Sequence, residues 1–80
     1  MAHLGPSERR LSSPEDIRLN QQQVDADGVR VGINRPDLQY TLGEERYYIE
    51  FDSDLDSGFA HRARILANDP GANVTIVNIY

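Results

Sequence analysis

The sequence predicts a small α/β domain, an α+β sandwich with helices packed on a short mixed sheet. Three observations predict this class. Val29-Val31-Ile33, Leu38-Tyr40-Leu42 and Tyr47-Ile49-Phe51 each alternate with polar residues at the period of two that marks a half-buried strand. Helix start and stop signals bracket those strands on both sides. The last run, Val74 to Tyr80, is apolar on both faces, as an interior strand would be. The predicted order is helix, three strands, helix, strand, in one domain spanning 13–80 behind a disordered lead-in at 1–12.

The elements follow in turn. Ser13-Pro14-Glu15-Asp16 has an N-cap serine, proline at the first helical position and acids in the first turn. The helix it opens is expected to run through Ile17, Leu19 and the glutamine triplet to about Val24 or Ala26, where Asp27-Gly28 breaks it. Val29 to Ile33 is the first strand, closed by Pro36, which also biases Arg35 toward extended backbone. Asp37 to Leu42 and Tyr47 to Asp52 form a hairpin around Gly43-Glu44-Glu45. A four-residue loop would pair Leu42 with Tyr47, Gln39 with Glu50 and Asp37 with Asp52. Leu38, Tyr40, Leu42, Tyr47, Ile49 and Phe51 then share one face, and Asp37, Gln39, Thr41, Tyr48, Glu50 and Asp52 the other. Tyr40 and Tyr47 are expected in the core, with Tyr48 on the acidic face. A second helix is expected from Phe59 to about Ala67, burying Phe59, Ala63, Leu66 and Ala67, and Asn68-Asp69-Pro70-Gly71 stops it. The last strand then returns beside the third through a crossover.

Composition narrows the function. Eighty residues make one domain, and folding at this size buries only about 60% of the unfolded surface. There is no cysteine, so neither a disulfide framework nor a thiolate site. The net charge is −5, and all eight basic residues are arginine. A net negative chain has no long-range attraction to phosphate backbones, and the absence of lysine removes that residue from any catalytic scheme. No apolar run approaches the ~20 residues of a membrane span, and Met1 to Gly5 shows no signal-peptide apolar region. A soluble domain is expected, one that if exported travels by some other route or as part of something larger.

The three acids on one hairpin face carry the functional lead. Clustered carboxylates repel one another, so their clustering points to a bound cation or a proton in motion. The competing reading makes Glu50 and Asp52 the solvated face of a two-layer protein, with Arg62 and Arg64 balancing Asp54 and Asp56 and His61 a surface residue.

Arg35-Pro36-Asp37 opening one strand, Glu50-x-Asp52 in the next, and the helix-strand-strand-strand-helix-strand order resemble the PD-(D/E)xK nuclease-like core, the minimal restriction-endonuclease-like fold. Gly32 to Tyr40, Tyr48 to Asp52 and Ala63 to Pro70 are also similar to C-terminal toxin modules of bacterial polymorphic toxins of the Rhs and contact-dependent inhibition types. The resemblance covers roughly residues 13–80. It implies a metal-dependent nuclease acting on DNA or RNA, with Mg²⁺ or Mn²⁺ held by Asp37, Glu50 and the backbone carbonyl of Phe51. It implies delivery into a target-cell cytoplasm as part of a larger secreted protein, and a cognate immunity protein. Asp52 falls where the family keeps its lysine, a departure from the pattern. His61, Arg62 or Arg64 would then supply the basic or positive group, and Glu15 falls where some relatives keep an extra acid. A non-catalytic module, binding a protein partner such as an immunity protein through its acidic face, is the alternative.

Overall fold

The computed structural model describes residues 13–79; the lead-in at 1–12 and Tyr80 lie outside them. The described residues form a four-stranded mixed sheet with one helix. The strands are β1 (Glu15–Leu19), β2 (Leu38–Leu42), β3 (Glu45–Asp52) and β4 (Asn73–Asn78), and α1 (Leu55–Asn68) joins β3 to β4. The sheet order is β1-β2-β3-β4, antiparallel except between β3 and β4, which are parallel. The crossover expected between the last two strands is therefore present. β4 is an edge strand, not the interior one its apolar faces suggested. Among the described residues, no helix is long and apolar enough to cross a membrane.

The first two predicted elements are replaced. The helix expected from Pro14 is absent, and its opening residues are strand β1 instead. Ile17 and Leu19 alternate with Asp16 and Arg18, so this stretch fits a strand as well as a helix. The exposed edge of β2 needs a partner for its backbone groups, and this decides between them. Asp16 and Asn20 adopt positive φ, 49° and 54°, which no right-handed helix accommodates. Asp16 lies where the β1/β2 register slips between Glu15 and Arg18. The strand expected at Val29 to Ile33 reduces to one bridge between Val24 and Arg30. Here Asp25 Oδ1 accepts the N–H groups of Asp27 and Val29, a side-chain-closed turn completed by Gly28 at φ +83°. Residues 20–37 thus form a long loop over the sheet.

The hairpin keeps the expected parity but closes two residues tighter. Leu42 pairs with Glu45, Tyr40 with Tyr47 and Gln39 with Tyr48, around Gly43 at φ +65°. Both faces therefore hold the expected residues, yet the core lies on the polar one. Gln39, Thr41, Arg46 and Tyr48 are buried, while Tyr40 and Tyr47 are half-buried and stacked at 5.2 Å. The loop and α1 cover the polar face, where Val24, Ile65 and Tyr48 are the buried hydrophobic residues.

Hydrogen bonds supply what this small apolar core does not. Gln39 Oε1 accepts from the Val24 N–H and Arg46 Nη2, and its Nε2 donates to the carbonyls of Gln21 and Gln22. Arg46 Nη1 donates to Thr41 Oγ1 and the Asp16 carbonyl. Burial works against its charge, and the Asp16 carboxylate at 3.6 Å works for it. The Tyr48 hydroxyl has one proton to donate, shared between the Val24 carbonyl and Asp69 Oδ2 at 2.9 Å as alternative acceptors. Burial pushes its phenol well above the ordinary tyrosine range. Gln23 Nε2 reaches the Ile65 carbonyl and ties the loop to the helix.

Helix α1 begins four residues before its expected start. Asp54 caps it, Oδ1 accepting the Asp56 N–H and Oδ2 the Ser57 hydroxyl. Its buried residues are Gly58 and Ile65, whereas Phe59, expected inside, is 61% exposed. Gly58 lets the helix approach β4 closely, because a Cβ there would lie 2.7 Å from Ile76 Cγ2. That methyl stands on a branched carbon of a paired strand and cannot swing aside. Gly58→Ala gains about 1 kcal/mol of helix propensity but overpacks the contact, which typically costs about 1–3 kcal/mol. The expected net result is a melting temperature several degrees lower, read by circular dichroism. An unchanged or higher value would show that helix and sheet separate without cost.

Candidate active site

One cleft of about 290 Å³ opens where the β2/β3 hairpin meets the loop and α1. Asp37 and Glu50 form its acidic wall. Extending the hairpin register one step sets these two opposite each other, where Asp52 was expected to face Asp37. The Asp37 N–H points to Glu50 Oε1 at 3.4 Å, and Asp37 Oδ2 accepts the Phe51 N–H at 2.8 Å. The tighter turn thus brings Asp37 and Glu50 closer than a diagonal pair.

The electrostatics of the pair are unbalanced. Burial raises the proton affinity of the Glu50 carboxyl above its ordinary value. The Asp37 carboxylate, near enough to share a proton with it, raises it further, while the Asp37 N–H and His61 partly offset this. Two acids in a part-buried cleft, one reluctant to ionise, form a site that gains from a nearby cation.

Cationic side chains ring the other wall. Arg35 and Arg64 line the cleft together with His61 and Asn34. Arg35 is anchored by Nε and Nη2, which donate to the Asn20 carbonyl at 3.3 and 2.9 Å. Pro36, fully buried, fixes the chain between Arg35 and Asp37. His61 and Arg64 come from α1 at i and i+3, so both face the same side.

The expected site residues divide clearly. Asp37, Glu50, His61 and Arg64 line the cleft; exposed Arg62 does not. Asp52 lies behind it, with Oδ2 3.2 Å from His61 Nδ1. Glu15, expected as an extra acid on a first helix, sits on β1 opposite Thr41, toward the turn end of the hairpin and away from Asp37. Asn34, Arg35 and Ile65 are the lining residues that sequence reading missed. For Arg35 the Arg-Pro-Asp run contained the signal, since an arginine one rigid proline away from a cleft acid cannot be far from the same cleft.

The cleft can hold an anion between guanidinium groups and a cation against the carboxylates. Among the described residues, no three His, Asp or Glu side chains gather closely enough to chelate an ion alone. A hard cation bound to Asp37 and Glu50 would therefore complete its shell with water, backbone or substrate oxygens, as Mg²⁺ commonly does. The chain matches no protein-family model, no curated protein and no solved structure. Fold and site together define a small α+β domain with an acid-and-arginine cleft at one end of a mixed sheet.

Proposed function

We propose that this domain is a divalent-metal-dependent nuclease, cleaving phosphodiester bonds of DNA or RNA in the Asp37–Glu50 cleft. One observation carries the reading: two carboxylates face each other across a hairpin, in the same cleft as two arginines. The order strand-strand-strand-helix-strand, with the last two strands parallel, supports the resemblance to the PD-(D/E)xK core. The strand that stands where a helix is expected from Pro14 and the absence of lysine depart from it. The toxin-module context, with delivery into a competitor's cytoplasm and a cognate immunity protein, rests on the similarity of the residue stretches alone.

The residues divide the work. Asp37 and Glu50 are suited to hold Mg²⁺ or Mn²⁺, because both are hard oxygen donors that line one part-buried cleft. Such an ion supplies Lewis-acid stabilisation of phosphoryl oxygens and a more acidic water. Arg35 and Arg64 hold the phosphate and oppose the charge that develops on it. The anchoring of Arg35 to the Asn20 carbonyl limits the ordering that phosphate binding would otherwise require.

The test is cleavage of plasmid DNA and of total RNA by the purified chain, with Mg²⁺, Mn²⁺ or EDTA. Cleavage is expected with either metal and not with EDTA. Asp37→Asn should lower it by about 10³-fold, the scale on which removing one group that stabilises transition-state charge acts. A folded chain that cleaves neither substrate, and whose melting temperature no divalent ion raises, would overturn the reading.

A further inference from the structure

His61 and Asp52 form a second functional unit beside the carboxylate pair. Asp52 Oδ1 accepts the Asp54 N–H at 3.0 Å, and its Oδ2 lies 3.2 Å from His61 Nδ1. Its side chain is 13% exposed, while that of His61 is 40% exposed and lines the cleft. The carboxylate is thus the less exposed member, tied to the Asp54 N–H, and the imidazole the more accessible one. A carboxylate at Nδ1 favours the tautomer with the proton on that nitrogen and leaves the Nε2 lone pair free. An imidazole oriented by a third group, with its other nitrogen available, is the arrangement that general-base catalysis needs.

From this geometry we infer that His61 is the general base of the phosphodiester cleavage, with Asp52 as its positioning residue. The inference rests on the nuclease reading of the same cleft. It also accounts for the lysine-free chain: an acid stands at the position where the resemblance places lysine, and that acid orients a base supplied by α1. In the step itself, His61 Nε2 takes a proton from the attacking water as the water oxygen bonds to phosphorus. The phosphorus–oxygen bond to the leaving alkoxide breaks, and that alkoxide takes a proton from solvent. The imidazolium then returns its proton to solvent, so the net change is addition of one water to the diester.

Two readouts on the full chain test this. Long-range proton–nitrogen NMR of neutral His61 reports the tautomer whether or not the protein is active. Wild type should show a protonated Nδ1 and a bare Nε2, and Asp52→Asn should lose that preference while the remaining resonances report an intact fold. In cleavage assays His61→Ala should lower kcat by about 10²–10⁴-fold with KM little changed. Asp52→Asn should lower it by about 10–100-fold, as loss of an orienting carboxylate typically does. Added imidazoles should rescue His61→Ala in order of their basicity, which a packing role would not produce. An active wild type with an equally active His61→Ala, or rescue indifferent to basicity, overturns the inference and leaves the nuclease reading standing. An inactive wild type overturns both. A wild-type His61 protonated on Nε2 removes Asp52 from its role.

Discussion

Gln39→Leu is expected to unfold the domain or bring it close to unfolding at 25 °C, although it places a larger apolar group on a buried strand position. Gln39 is fully buried, and its amide serves four partners: the Val24 N–H, Arg46 Nη2, and the carbonyls of Gln21 and Gln22. Leucine satisfies none of them. The two carbonyls belong to exposed or half-buried residues and can turn to water. Val24 and Arg46 are buried and cannot. A buried donor left without an acceptor costs about 1–3 kcal/mol, and more when it is charged. Together these reach roughly 3–6 kcal/mol, against a total stability of roughly 4–12 kcal/mol for a chain this long. Leu38→Gln provides the contrast. It puts an amide on the half-buried face one residue away, where water can reach it, and should cost far less. Thermal melts of both variants decide the matter. If Gln39→Leu melts like wild type and Leu38→Gln unfolds, the sheet buries its apolar face instead.

That contrast marks the boundary of what the sequence discloses. Alternation from Leu38 to Leu42 and from Tyr47 to Phe51 is enough to pair the hairpin in the right parity, because a slip by one residue would mix its faces. It cannot say which face is covered. Coverage depends on where residues 20–37 and α1 land, and these are placed by contacts distant in sequence, such as Gln23 to Ile65. Gln39 and Tyr48 are therefore expected on the polar face and Arg46 in the turn, yet all three are buried. The segment from Glu15 to Leu19 was ambiguous for a different reason. With Ile17 and Leu19 as its apolar residues, it fits either period, and the open edge of β2 decides. The cleft was more legible than the core. Asp37, Glu50, His61 and Arg64 stand out as chemistry-bearing residues, and the hairpin register and the placement of α1 bring all four to one cleft. Asp52 also stood out, but its contact with His61 depends on the close approach that Gly58 allows.

Glu50→Gln is expected to act in opposite directions on function and stability. In the cleft it removes a ligand charge, so metal-dependent cleavage should fall by about 10³-fold, as for Asp37→Asn. In the metal-free protein it should raise the melting temperature at pH 7. The Glu50 carboxyl binds its proton more tightly in the folded chain than in the unfolded one, through burial and the neighbouring Asp37 carboxylate, partly offset by His61. Between the ordinary glutamate value, about 4.3, and the raised folded value, the native state holds more protons than the unfolded state. Stability therefore declines as pH rises through that window and stays reduced above it. Glutamine is neutral throughout and still offers an oxygen to the Asp37 N–H. Its advantage should be full at pH 7 and vanish as pH falls below about 4, where the unfolded glutamate is protonated as well. A divalent ion should narrow the gap, raising the melting temperature of wild type and leaving Glu50→Gln almost unmoved. Melts from pH 4 to pH 8, in EDTA and in Mg²⁺, separate the two meanings of this acid. A glutamate on a merely solvated face would make the substitution neutral at every pH and the ion without effect. One held against its preference, by burial first and by a second carboxylate next, makes the glutamine variant the more stable protein in the absence of an ion.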